Sequence, residues 1–483
     1  MKPGFTYRTA TVGIGLALLI SSCQLNRTEQ DSIRELTVLY TNDEHGWMEG
    51  METGRGAAHL FGLWQRQEGY TEDGPFLILS GGDNFTGPAI STWVEGESMV
   101  EILNAMHYDA AAVGNHEFDF GLEELRQRTE EADYPYLSAN TRWRENHRVP
   151  LEMGILPFTI KQVNDLRVGI IGLTTTSTPT SGSPLNTTEL EFIDYETALR
   201  ETVAEIDTGK LDLLFVIAHV CMRELEPLAQ RVKDLNIDLM GGGHCNELIA
   251  REVAGTVLVE GGYNFTAYAK AQFSYDIANK RLVSADYSTS YNVMGAENNE
   301  ISAIVRKWSD VSERSLADVL AYNSVELQRR SGELGQLVID SWLLSDPTAD
   351  IALTNAGGIR SDLPAGIITL STLIGMMPFD NSIIAVNVSG AAIEAALTTG
   401  RRPLVAGLRQ RGDVWILEKA DEPLESDREY RVLLNSYMYA GGDNFHGIAE
   451  ANPDGYDTGT NYRQPFLDWL RSQHTTAQNP LRF

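Results

Sequence analysis

Acids, imidazoles and amides recur along this 483-residue chain in short turns, each directly after an apolar run. Asp43 and His45 lie in Thr41-Asn42-Asp43-Glu44-His45-Gly46, and Asp83 lies in Gly81-Gly82-Asp83-Asn84. Asn115, His116 and Asp119 share the segment Gly114-Asn115-His116-Glu117-Phe118-Asp119. His219 closes a further apolar run, and His244 ends Gly241-Gly242-Gly243-His244. Singly, each is a weak signal. Gly-Asp after a strand is usually a turn, and a lone histidine is usually a satisfied core or surface residue. Together they form a donor set of mixed oxygen and nitrogen, which suits Zn²⁺, Mn²⁺ or a similar divalent ion rather than Ca²⁺.

Residues so dispersed meet only if the elements before them end at one place. Residues 36–40, 76–79, 110–113, 168–171, 213–218 and 237–240 read as short buried strands, with amphipathic stretches such as 123–131 and 224–235 between them. That alternation is α/β, and the carboxyl ends of parallel strands then share one edge of the sheet. Residues 257–287 alternate more strictly and read as antiparallel strands finishing the first domain. Residues 298–320 are charged, lack Gly and Pro, and read as a polar connecting helix. A second α/β pattern follows, with helices at 334–344 and 391–398 and strands at 351–354 and 382–388. Within it, Thr354-Asn355-Ala356-Gly357-Gly358-Ile359-Arg360 combines glycines that permit close backbone approach with a planar cation. Phe379 and Phe445 sit in polar turns beside Pro or Gly, where a core phenylalanine is less expected.

Lys plus Arg (38) against Asp plus Glu (67) leaves a net charge of −29. A nucleic-acid polymer, which needs a basic footprint, is therefore excluded as a partner. A small anion is not, because bound divalent cations reverse the field inside one cleft. At the N-terminus, Lys2 and Arg8 precede an apolar stretch at 12–20 that is too short to span a bilayer stably. It leads through Ser21 and Ser22 to Cys23, which resembles a bacterial lipobox with Cys23 as the lipidated residue. The expectation is export and a lipid anchor as the sole membrane attachment, with Gln24 favouring the outer membrane, facing the periplasm or the cell surface. Nothing in the sequence sets an oligomeric state.

These blocks resemble the calcineurin-like metallophosphoesterases and, within them, the 5′-nucleotidase family of bacterial periplasmic and animal cell-surface enzymes. The likeness covers nearly all of the chain after residue 35, in the same block order and in both domains. It implies an α/β fold: a layered α/β/β/α metallophosphoesterase domain with a second, smaller α/β substrate-binding domain. The implied divisions are 1–23 signal peptide, 24–35 tether, 36–296 catalytic domain, 297–321 helical linker and 322–483 substrate domain. The resemblance further assigns Asp43, His45 and Asn246 to one of two divalent metal ions, and Asn115, His219 and His244 to the other. Asp83 would bridge them, and His116, held by Asp119, would face the phosphate as imidazolium. Arg330, Asn355, Gly357, Gly358 and Arg360 are the implied substrate-binding groups, with Phe379 and Phe445 stacking on a nucleobase.

The chain departs from the family pattern at Asn246, where a His or Gln is usual, and at Gln336, where an Asn is usual. Cys221 and Cys245 replace small residues, and three readings of them stand: buried packing, a disulfide, or thiolate ligation. The activity implied is hydrolysis of a nucleoside 5′-monophosphate. UDP-sugar hydrolase or 2′,3′-cyclic phosphodiesterase activity on the same fold is the nearest alternative, and a non-catalytic nucleotide-binding lipoprotein is the alternative of another class.

Overall fold

The computed structural model describes Met1 and residues 32–51, 54–293, 297–398 and 401–482, so Cys23 and the leader lie outside the described residues. Up to Tyr291 the chain builds two large sheets packed face to face and a two-stranded pair, Thr141–Trp143 with Leu190–Phe192. The first runs Arg281–Tyr291, Ala267–Asp276, Ile33–Thr41, Phe76–Ser80, Ala110–Ala112, Tyr136–Leu137 and Ile155–Leu156 across its width. Its members from Ile33–Thr41 to Ile155–Leu156 are parallel. The second runs Leu248–Val253, Thr256–Gly261, Leu239–Gly241, Leu213–His219, Leu166–Thr174 and Phe158–Val163, with its four middle strands parallel.

The period-2 alternation of each strand decides which layer a side chain joins. Leu36, Val38 and Tyr40 point between the sheets with Val168, Ile170, Phe215 and Ile217. Leu39 and Ile78 point outward under the helices Ala57–Leu63, Glu97–Ala105 and Asn299–Ser315. Leu214, Val216 and Ala218 point outward under Tyr195–Glu205 and Met222–Arg231 on the opposite side. The result is the expected α/β/β/α stack.

Two elements depart from the sequence reading. Thr256–Gly261 does not join the antiparallel pair that follows it; it belongs to the second sheet, parallel to Leu239–Gly241. The turn at 262–266 then carries the chain across to Ala267–Asp276 in the first sheet, a change of layer that alternation alone does not reveal. The connecting helix spans Asn299–Ser315, starts where the Asn298 side chain accepts from Glu300 N–H and Ile301 N–H, and is not a free polar strut. Ile301 and Trp308 are buried against the N-terminal core, and the Trp308 indole donates to Glu101 at 2.7 Å.

Beyond Val319 a five-stranded sheet is ordered Leu404–Ala406, Ile351–Thr354, Glu429–Asn435, Ser382–Ser389 and Tyr456–Asn461. Its two faces carry separate cores. This body touches the N-terminal one where Ile374 and Leu316 pack on Ala89, and where Gly442–Asn444 lies against Thr178–Ser181. No helix among the described residues is long and apolar enough to cross a membrane.

Candidate active site

All the dispersed donors arrive at one edge, where the parallel strands of both sheets end. Asp43, His45 and Asp83 group together, as do Asp83, His219 and His244, with ligand-type atoms in each group within 4.8 Å of one another. Asp83 is common to both. Its Oδ2 lies 2.9 Å from His219 Nε2 and 3.9 Å from His45 Nε2, while Oδ1 accepts from His116 N–H at 2.8 Å.

The imidazoles are oriented from behind. His219 Nδ1 lies 2.8 Å from the Gly81 carbonyl and His45 Nδ1 lies 3.0 Å from that of Thr86. A carbonyl oxygen only accepts, so each Nδ1 carries a hydrogen and each Nε2 is left to face the carboxylates. Asp43 Oδ2 accepts from Asn42 Nδ2 at 2.7 Å and from His244 N–H at 2.9 Å. Asp43, His45, Asp83, His244 and Asn246 all adopt positive φ, a backbone conformation that costs energy outside glycine and clusters at functional sites.

Electrostatics sharpen the picture. Burial raises the Asp43 carboxyl to about 6, opposed by His219. Burial also resists charge on Asp83, yet His219, His116 and His45 together hold it well below the usual carboxylate range. Burial resists charge on His219, and Asp83 nonetheless lifts it to about 10. The buried anionic pair thus draws positive charge to itself. One further observation fits a cation: the Asn115 Oδ1 is buried with no hydrogen-bond partner, while its Nδ2 is fixed by the Ser181 carbonyl at 3.1 Å. A buried orphan oxygen costs free energy unless something positive meets it.

Glu117 holds the floor of the site. Its carboxylate accepts from Asp83 N–H at 2.9 Å, Asn84 N–H at 2.6 Å and Gly114 N–H at 2.6 Å. A side chain at Gly114 would collide with the Asp83 carboxylate, which accounts for the glycine. Glu117→Ala would strand three buried donors and is expected to destabilise the fold by roughly 3–5 kcal/mol, with Glu117→Gln losing less. Urea midpoints at constant m-value measure this, and a midpoint equal to the parent's would refute it.

A cleft of about 660 Å³ opens over these residues and is roofed by the C-terminal body. Arg330, Asn355, Gly357, Arg360 and Phe379 line it together with Asp43, His45, Asp83, Asn115, His116, Asp119, His244 and Asn246. His116 Nδ1 lies 2.7 Å from Asp119 Oδ2, and its ring stacks on Phe379 at 5.7 Å between centroids. The Arg360 guanidinium sits 5.8 Å from the Phe379 centroid. Gly358 lies just behind, its carbonyl accepting from Tyr462 Oη at 3.1 Å. Phe445 stands apart. It is 2% exposed and packs with Leu434, Met438 and Ile448 in the C-terminal core, because the preceding turn directs it inward against the sheet. The aromatic that reaches the cleft from this region is Tyr437, whose hydroxyl donates to the Thr180 carbonyl across the two bodies at 2.7 Å.

Cys221 and Cys245 form a disulfide. Residues unremarked in the sequence also line the cleft: Ser181, Ser183 and Asn186 on the segment after Leu166–Thr174, and Glu95, Arg401 and Asp443 at its rim. Asn186 Nδ2 donates to the Phe118 and Asp119 carbonyls at 2.9 Å, bracing the His116 turn. Only the loop-like composition of this segment marks it in the sequence.

With the geometry in place, comparison with known proteins is direct. Residues 314–450 match the family model for the 5′-nucleotidase C-terminal domain. The chain is 28% identical to the trifunctional nucleotide phosphoesterase protein YfkN of Bacillus subtilis over 92% of its own length, though it spans 34% of that protein. It is 26% identical to the 5′-nucleotidase of Vibrio parahaemolyticus over 92% of this chain and 90% of the relative. The crystal structure of a 5′-nucleotidase precursor from Thermus thermophilus superposes with a TM-score of 0.78 at 25% identity, covering 92% of this chain and 97% of that one. A four-layer α/β/β/α stack with a divalent-cation donor set at its strand ends, roofed by a second α/β body, defines a metal-dependent phosphoester hydrolase. Over 92% of its length the chain is similar to 5′-nucleotidases.

Proposed function

We propose that this protein hydrolyses nucleoside 5′-monophosphates to nucleoside and phosphate, using two divalent cations. The observation that carries the reading is one cleft in which Asp83, shared by two donor groups, lies opposite Arg330, Arg360 and Phe379 from the other body. Asp43, His45 and Asn246 would hold one cation and Asn115, His219 and His244 the other. Cations held there supply the charge that draws phosphoryl oxygens and makes water nucleophilic near neutral pH. The protein's own groups do the rest. Burial disfavours charge on His116, but Asp119 and then Asp83 raise its pKa, so the ring is disposed to donate to a phosphoryl oxygen. Arg330 and Arg360 offer planar cations to the substrate's remaining oxygens.

In the same reading, residues 36–296 form the catalytic domain, 297–321 the linker and 322–483 the nucleoside-holding domain. Phe379 is the base platform, and the chain is exported and anchored through Cys23. The test is phosphate release by metal-loaded protein lacking its leader, across nucleoside 5′-monophosphates, UDP-glucose and 2′,3′-cyclic nucleotides. Highest kcat/KM on 5′-monophosphates is expected. Preference for either of the other classes moves the assignment to that class, and no release from any of them overturns it.

A further inference from the structure

The disulfide joins two loops that each end in a site histidine. Cys221 lies two residues after His219, at the start of helix Met222–Arg231, and is 1% exposed. Cys245 directly follows His244. The first loop is rigid by construction, because His219 closes a central strand and its Nδ1 is pinned to the Gly81 carbonyl. The second is not. Residues 241–243 are all glycine, the residue type with most backbone freedom to lose, and His244 and Asn246 then both take positive φ. His244 N–H donates to Asp43 and Glu247 N–H to Glu260. Between these two anchors, Cys245 and Asn246 make no hydrogen bond among the described residues. Cys245 and Asn246 themselves are held by the covalent tie to Cys221, which secures them against the element that carries His219.

We infer that the Cys221–Cys245 disulfide is a positioning clamp for the cation site, setting His244 against His219 and Asp83. Its loss weakens cation binding without dismantling the sheets. The cysteines touch neither substrate nor cation; they act through His244 and Asn246. The inference rests on the donor-set part of the reading above and not on the substrate, so it stands or falls separately from the choice of nucleotide.

The test is equilibrium dialysis of Mn²⁺ and of Zn²⁺ against the leaderless protein and its Cys221→Ser/Cys245→Ser variant, with no substrate present. Far-ultraviolet circular dichroism and urea midpoints are recorded in parallel. A loss of cation affinity of about 10- to 100-fold is expected with the secondary structure retained, the scale seen when a group that orients a ligand is removed. A disulfide that merely stabilised the fold would lower the urea midpoint and leave the affinity of the folded protein unchanged; that result overturns the inference. Should the double variant not fold, the parent is treated with a phosphine reductant under native conditions. The phosphine gives two electrons to the bond, and water supplies the two protons of the resulting thiols and the oxygen of the phosphine oxide. Weaker binding that returns on reoxidation supports the clamp, and unchanged binding after complete reduction overturns it.

Discussion

Asp83→Asn is expected to lower phosphate release by about 10³-fold or more while the protein remains folded and loses most of its bound divalent cation. The scale follows from removing the one carboxylate common to both donor groups, because cation stabilisation of a phosphoryl transition state amounts to several kcal/mol and each 1.4 kcal/mol is tenfold. Folding survives for a local reason. The asparagine carbonyl still accepts from His116 N–H, the bond now made by Oδ1. On the other side the amide would face His219 Nε2, which Asp83 now holds protonated. Asp83 is the largest influence raising His219 against its burial, and once that charge is gone a neutral ring can accept from the amide, so no buried donor is stranded. Elemental analysis of dialysed protein and a phosphate-release assay read the two halves of the prediction. Parent-like cation content in the variant would show that Asp83 is not the shared ligand, whatever happens to the rate.

Much of this arrangement is legible in the sequence because the donors obey a local rule. Asp43, Asp83, Asn115 and His244 each follow a strand and His219 ends one, and parallel strands end at a common edge, so their convergence follows from the α/β alternation without any long-range information. The inward and outward faces of Ile33–Thr41 and Leu213–His219 are likewise written in period-2 alternation. What escaped was decided by tertiary packing. Phe445 sits in a turn of polar composition, and its burial depends on the sheet face that the turn happens to cover. Asn299–Ser315 looks polar by count, yet Ile301 and Trp308 recur on one side and find the N-terminal core. The Cys221–Cys245 bond required knowing that two loops 24 residues apart in sequence end side by side. The positive φ values of Asp43, His45 and Asp83 had no signal at all, because side chains chosen for chemistry occupy positions that turn propensity would give to glycine or asparagine.

His116→Ala is expected to reduce kcat by about 10²- to 10⁴-fold with cation content and fold unchanged, the range for removing a positioned acid–base group. The residue's two contributions separate cleanly. Its backbone N–H braces Asp83, a bond that alanine also makes, so the cation donors keep their places. Its ring makes the contact with Asp119 and lies over Phe379, and those are lost. The side chain's charge is therefore removed without removing the support beneath it. Asp119→Asn isolates the charge itself. The amide oxygen can still accept from His116 Nδ1–H, but a neutral partner no longer offsets the burial that disfavours the imidazolium. A smaller loss, about 10-fold to 10²-fold, is expected there. The ordering matters more than either value: a larger loss at Asp119 than at His116 would mean that Asp119 acts on its own account. An unchanged kcat in His116→Ala would remove the imidazole from the reaction altogether, and the donor role would then pass to Arg330 or Arg360, which face the same cleft from the other body.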